Sequence, residues 1–179
     1  MTAEEVKRAI RNVPDFPIKG IQFKDITTAL AKPECLKWMR DEIVNQYKDL
    51  GITKVVGIES RGFILAPAVA IEIGAGFVPI RKHNKLPAET VSVTYAKEYG
   101  DDTIQIHKDA LIEKDVVLIH DDILATGGSM EAAIELVKKL GVKKIYVNCI
   151  IELDGLHGME YLKGKADSVD CLFSIEVNE

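Results

Sequence analysis

Several features that often place an unknown protein are missing from this chain. Its three cysteines, Cys35, Cys149 and Cys171, are far apart in sequence and form no Cys-x-x-Cys pair. No two of the four histidines are spaced i, i+4 as on a metal-binding helix. Structural zinc and a disulfide framework are therefore not expected, and a reducing compartment fits. There is no long apolar run: the stretch from Phe63 to Ile71 is interrupted by Pro67 and closed by Glu72, too short to span a bilayer. The N-terminus, MTAEEVKRAI, is charged and amphipathic and lacks the apolar core of a signal peptide. Basic excess is missing too. The formal charge is −5 with both signs interspersed, which argues against a general nucleic-acid binder, since that would need a positive face to neutralise phosphates. The expectation is a soluble, cytoplasmic protein with no nucleic-acid or membrane partner.

Repeats, low-complexity tracts and Gly/Ser linkers are also lacking, so residues 1–179 read as a single domain. At 179 residues and 47% hydrophobic, the chain can bury a substantial core. AEEVKRAIRNV has apolar residues at helical spacing and predicts a short helix. PDFPIKGIQFKDIT, with two prolines and a glycine within seven residues, reads as a loop entering a short extended piece. CLKWMRDEIVNQYKDLG reads as a helix ending at Gly51, with Lys48 in its last turn.

A rhythm then begins. KVVGI reads as a strand, GFILAPAVAIEIG as a mostly buried helix and FVPIRK as another strand. TVSVTYA and DTIQIH both alternate, predicting an antiparallel hairpin or flap rather than core strands. DVVLIH is continuously apolar, as in a strand covered on both faces. SMEAAIELVKKLG is amphipathic, with acids early, lysines late and Gly141 at its end, all favourable to the helix dipole. KIYVNCIIEL and SVDCLFSIEV complete the set. The alternation implies an α/β fold with a mainly parallel, twisted sheet flanked by helices. Ligands in such sheets sit beyond the carboxyl ends of the strands.

At one such end the residues are unusual. VVLIHDDILATGGSM, residues 116–130, leaves a buried strand through two adjacent acids, Asp121 and Asp122, and turns at once through Ala125, Thr126, Gly127, Gly128 and Ser129. The turn suits a phosphate. Glycines permit torsions that let successive amides converge on an anion, Thr126 and Ser129 add hydroxyls, and a helix N-terminus adds partial positive charge. The acids would repel that same phosphate, so they fit hydroxyls carried on the same molecule, or a metal. A sugar with a phosphate at one end and a diol in its middle satisfies both halves. The bland reading is an N-capping turn with Thr126 or Ser129 as the cap. No lysine follows the glycine pair, so this is not a Walker A loop, and no G-x-G-x-x-G is present either.

The run VVLIHDDILATGGS resembles the phosphoribosyl-pyrophosphate (PRPP) motif of type I phosphoribosyltransferases. Further matches span most of the chain: FPIKGIQFKDIT, ESRGF, IRKHNKLP, YAKEYG with IQIHKDAL, and the late IELDGLHG. They are similar to members of that family acting on adenine. The resemblance implies transfer of a 5-phosphoribosyl group from PRPP to adenine with Mg²⁺, held mainly through PRPP and not by direct protein ligands. It also implies a β-hairpin flap, a small N-terminal base-binding hood and a homodimer. Two positions depart from the pattern. His120 replaces a small apolar residue, and its expected role is a packed or exposed strand-end histidine. Lys24 replaces an arginine, keeping the charge but losing the bidentate fork.

The remaining candidates each carry two readings. Ser60 in IESRGF suggests a hydrolase nucleophile, but Gly57 lies three residues before it and the elbow spacing fails; a strand-to-helix turn whose amides, with Arg61, hold the pyrophosphate fits better. Arg81, Lys82 and Lys85 form either a solvated basic loop or an anion site, and the resemblance lets this loop reach a neighbour's site across a dimer. Tyr95, Glu98 and Tyr99 are a hairpin tip by composition; the resemblance makes the segment a flap, with Glu98 managing a proton on the purine. Phe23 either anchors its loop or, by resemblance, stacks on adenine with Ile123 on the other face and backbone near Gln22 reading the base edge. A catalytically inactive PRPP or nucleotide sensor is the alternative to an enzyme.

Overall fold

In a computed structural model, residues 1–97 and 100–177 are described. The chain opens with α1 (Ala3–Ala9), whose N-cap Thr2 exchanges hydrogen bonds with Glu5 in a capping box. That helix is shorter than its periodicity suggests. From Arg11 the chain is extended, and β1 (Arg11–Pro14) pairs antiparallel with β2 (Gln22–Asp25) in a separate two-stranded sheet. The apolar residues Ile10 and Val13 suit either periodicity over so short a stretch, and the strand partner at Phe23 decides the matter.

Two helices follow, α2 (Thr27–Leu30) and α3 (Pro33–Tyr47), the latter with proline at its first position, where no helical amide is lost. Then come β3 (Lys54–Ile58), α4 (Gly62–Ile73), β4 (Gly76–Lys82), β5 (Thr90–Lys97) and β6 (Gly100–His107). The rest comprises β7 (Val116–Leu124), α5 (Gly128–Lys139), β8 (Lys144–Asp154), α6 (Gly158–Leu162) and β9 (Ser168–Glu176).

Seven strands form one sheet in the order β5-β6-β4-β3-β7-β8-β9. The pairs among β4, β3, β7, β8 and β9 are parallel, as the apolar runs predict. The β5–β6 hairpin differs from expectation. It joins the main sheet, with β6 antiparallel to β4 through Arg81↔Gln105 and Lys82↔Ile104. Val93, Ile104 and Ile106 are part of the core, so the base of the hairpin is core structure. In β6 the alternation does not produce a wet face, because Gln105 is buried between Ile104 and Ile106, and it could not report the edge that β4 offers.

The core has two halves, one on each face of the sheet. One is built around α5 with Val117, Ile119, Ile134 and Leu136; the other around α1–α4 with Met39, Ile43, Val69 and Leu118. Helix α4 buries only one face: Leu65, Ala66, Val69 and Ala70 are inside, while Ile64 and Ile71 remain exposed. Between β3 and β7 the connections leave the sheet in opposite directions, β3 to β4 and β7 to β8. That switch opens a crevice at the carboxyl ends of both strands.

Candidate active site

The crevice is where the paired acids emerge. Asp121 and Asp122 lie near the carboxyl end of β7, with Asp121 opposite Cys149 of β8, and the β3–α4 turn carrying Glu59, Ser60 and Arg61 faces them. The approach is tight because residue 62 is glycine. A Cβ there would lie 2.7 Å from the His120 carbonyl oxygen and 3.2 Å from Asp121 Oδ1. The Glu59–Ser60 peptide is cis.

A cleft of about 340 Å³ is lined by Glu59, Ser60, Arg61, Lys82, Tyr95, Asp102, both acids and Ser129. A second hollow of about 210 Å³ shares Arg61, the acids and Ser129, and continues along Ile123 and Ala125–Met130. Acids, basic groups and glycine turn therefore share one two-lobed crevice.

Its electrostatics are unbalanced. Arg61 Nε lies 2.5 Å from Asp122 Oδ2, although that buried oxygen accepts no hydrogen bond of good geometry. Asp121 Oδ1 accepts from the Asp122 amide at 2.9 Å. Burial, and then the adjacent Asp122 charge, push the Asp121 carboxyl well above its ordinary value. The site thus holds a carboxyl pair that a cation or a pair of hydroxyl donors would relieve. Among the described residues, no three His, Cys, Asp or Glu side chains converge as a metal cage.

The glycine turn is not a side-chain cap. The N-cap of α5 is Gly127 itself, at φ 92° and ψ −6°, with no side-chain capping hydrogen bond. Ser129 Oγ donates instead to the Tyr95 hydroxyl at 3.0 Å. The first amides of a helix have no intrahelical acceptor, and here the residues that carry them, Gly128, Ser129 and Met130, line the second hollow.

The other candidates divide. Lys82 lines the cleft, with Nζ 3.1 Å from Asp102 Oδ2. Arg81 and Lys85 are not among the lining residues; Arg81 donates to Glu59 Oε2 at 3.3 Å and to the Lys85 carbonyl at 3.1 Å. Phe23 reaches the crevice through Arg61, whose guanidinium carbon lies 5.4 Å from the ring centroid, while Phe16 packs edge-on behind it. The Gln22 side chain is occupied by Asn12, whose amide donates to Oε1 at 2.7 Å. Glu98 and Tyr99 lie outside the described residues.

Both departures from the family pattern face away from the chemistry. His120 is 1% exposed, with Nδ1 3.1 Å from Asn148 Oδ1, and burial lowers its pKa to about 4. It is a packed, neutral histidine. Lys24 is buried beside Asn12 and lines a different hollow with Glu4, Lys7 and Arg8. Two charged residues of the cleft, Glu59 and Asp102, were not among the sequence candidates. Glu59 leaves a buried strand just as Asp121 does, a signal that could have been used. Asp102 sits in an alternating hairpin and had none.

The phosphoribosyl transferase domain family model matches residues 29–178. An adenine phosphoribosyltransferase of Bacteroides fragilis is 59% identical over 167 residues, 93% of this chain and 94% of that protein. The crystal structure of the Giardia lamblia APRTase complexed with 9-deazaadenine superposes with a TM-score of 0.94 at 45% identity, covering 98% of this chain and 99% of that one. The Saccharomyces cerevisiae adenine phosphoribosyltransferase, complexed with an imino-altritol bisphosphate and adenine, gives a TM-score of 0.85 at 37% identity, covering 98% and 97%.

Proposed function

This chain belongs to the phosphoribosyl transferase domain family, and we infer that it is an adenine phosphoribosyltransferase. It transfers the 5-phosphoribosyl group of PRPP to adenine, giving AMP and pyrophosphate, a step of purine salvage. One observation carries the site reading: Asp121 and Asp122 share a single crevice with the Ala125–Ser129 turn on one side and with Ser60, Arg61 and Lys82 on the other.

In this reading the 5′-phosphate docks on the amides of Gly127, Gly128 and Ser129 and the hydroxyl of Thr126. The ribose diol donates to the two carboxylates. Cleavage of the C1–pyrophosphate bond builds positive, oxocarbenium-like charge on the ribose, and fixed carboxylates beside it lower that barrier. Ser60, Arg61 and Lys82 receive the departing pyrophosphate. The surplus negative charge at the acids fits a Mg²⁺ ion carried in on PRPP and held mainly by PRPP oxygens, where it would neutralise the leaving group.

Phe23 and Ile123 flank the base. Because the Gln22 side chain is taken by Asn12, edge recognition falls to backbone groups near it. Glu98 manages the purine proton, and Tyr95 and Tyr99 belong to a flap that excludes water. Residues 1–179 act as one domain, working as a cytoplasmic homodimer. The exposed apolar side chains Ile64, Ile71 and Phe77 support a partner surface. Arg81 and Lys85, outside this chain's own cleft, fit a role toward a neighbour.

The test is nucleotide formation from PRPP and Mg²⁺ across adenine, hypoxanthine, guanine, xanthine and orotate. Stacking cannot choose among flat bases, so edge hydrogen bonds must, and a preference for adenine of about a thousandfold is expected. A preference for any 6-oxopurine overturns the assignment.

A further inference from the structure

The late segment IELDGLHG, residues 151–158, has no role in the chemistry above, yet it ends directly behind the phosphate turn. It carries the chain from β8 into α6 through His157, at φ 59°, and Gly158, the buried first residue of that helix. A Cβ on Gly158 would stand 2.2 Å from the Ala125 carbonyl oxygen, 3.2 Å from the Ala125 carbonyl carbon and 3.0 Å from Leu124 Cγ. Two of these neighbours are main chain of the phosphate turn, so no rotamer change relieves the overlap.

The contact is reciprocal. A Cβ on Gly127 would meet Tyr161 Cδ1 at 2.9 Å, Leu162 Cγ at 3.3 Å and the Gly158 carbonyl oxygen at 3.4 Å. Leu162 is fully buried there. Tyr161 of the same helix, with Lys165 just beyond it, also grips the start of α5. The Tyr161 hydroxyl donates to Glu131 Oε2 and the Lys165 ammonium to Glu131 Oε1, while the Lys165 ammonium lies 3.8 Å from the Tyr161 ring centroid. Glu131 is an acid in the first turn of α5. Its pairing with Lys165 offsets a negative charge close to where a phosphate would dock.

We propose that α6 is a rear brace for the phosphate turn, with Gly158 a positioning residue that sets where the turn's amides meet the sugar 5′-phosphate. This rests on the sugar-phosphate reading of the Ala125–Ser129 turn. The close approaches between α6 and the site fall on Leu124, Ala125 and Gly127, while Ser60, Arg61 and Lys82 belong to the β3–α4 turn and β4, so the brace acts on the sugar-phosphate end of PRPP.

Ribose 5-phosphate and pyrophosphate separate the two ends. Affinities for each are measured by titration calorimetry on the full chain, together with kcat and KM for PRPP. Gly158→Ala displaces the turn and is expected to weaken ribose 5-phosphate by about tenfold or more, since small misplacements of binding groups are costly. Pyrophosphate affinity should be unchanged. Gly164→Ala is the control: at φ 77° an alanine is strained, but nothing lies within 4 Å of the added Cβ, so it costs stability without displacing the turn and should leave both ligands unaffected. Tyr161→Ala removes a half-exposed ring and its tie to Glu131, so it keeps the test alive should Gly158→Ala fail to fold; a severalfold loss for ribose 5-phosphate alone is expected. Folded variants that bind ribose 5-phosphate as the parent does, or lose both ligands in parallel, overturn the brace. A parent protein that binds neither ligand overturns the sugar-phosphate reading itself.

Discussion

Arg61 stands between two parts of the crevice: its Nε lies 2.5 Å from Asp122 Oδ2, and its guanidinium covers the ring of Phe23. The cation assigned to pyrophosphate is thus already engaged by an acid assigned to the ribose. Substrate must break that pair, and the leaving pyrophosphate offers the competing anion.

Arg61→Met should therefore weaken pyrophosphate and PRPP together. Loss of a charge-assisted hydrogen bond costs about 1.5–3 kcal/mol, which is roughly tenfold to a hundredfold in affinity. Arg61→Lys should recover only part of it, because an ammonium lacks the planar fork. Product-inhibition constants for pyrophosphate provide the measurement, and an unchanged constant in Arg61→Met removes this residue from the pyrophosphate site.

Asp121→Asn should raise stability while it lowers activity. Burial and the Asp122 charge hold the Asp121 carboxyl well above 3.8 in the folded protein. The Asp121 carboxyl consequently keeps its proton to higher pH than in the unfolded chain, and folding stability falls as pH rises from that ordinary value through the folded one. An amide removes this cost and can still accept from the Asp122 amide. The melting temperature of the variant should exceed the parent's by an amount that grows as pH rises above the ordinary carboxyl value of 3.8, at about 2–4 °C per kcal/mol recovered. A gap that shrinks with pH contradicts the assignment.

His120 titrates with the opposite consequence. Its pKa is lowered from 6.5 to about 4, chiefly by burial. The unfolded chain takes up a proton below 6.5 that the folded protein refuses. Stability from this group is complete above that value and is lost as pH falls toward 4, by about 2–4 kcal/mol. His120→Gln keeps a polar neighbour for Asn148 and removes the titration, so its unfolding free energy should fall less steeply on the acid side. Denaturant titrations of both proteins at several pH values read the difference.

Gly62→Ala should separate the pyrophosphate turn from the acids. The added Cβ would meet the His120 carbonyl 2.7 Å away, and main chain must move at either β7 or α4. A shift of that kind can cost about a hundredfold in rate. Steady-state kinetics should show the loss in kcat/KM, with circular dichroism showing the helices retained. Normal kinetics would mean that the two turns need not approach so closely.

The strands and helices were readable because each rests on a local period. DVVLIH and KVVGI have continuous apolar centres and became central parallel strands, covered on both faces. Alternation marked the β5–β6 hairpin, and glycine pairs and adjacent acids marked the phosphate turn. Local pattern failed where a distant edge chose the outcome. Residues 11–13 continue a helical period, yet they pair with Phe23, Lys24 and Asp25. The hairpin looked detached until β4 offered β6 its open side.

What the sequence by itself determined were the groups in the site: the paired acids, the glycine turn, the Ser60–Arg61 turn and the aromatic loop at Phe23. Tertiary structure alone decided their commitments. Arg61 is held by Asp122, Lys82 faces the cleft while Arg81 turns to Glu59, and Glu59 and Asp102 join the lining. It also set Cys149 and Cys171, 22 positions apart in sequence, opposite each other as free thiols on β8 and β9. The reason is physical. Residue type and local period fix what a group can do and which way its element faces, whereas partners are chosen only when strand order closes the sheet and burial makes each unpaired charge costly.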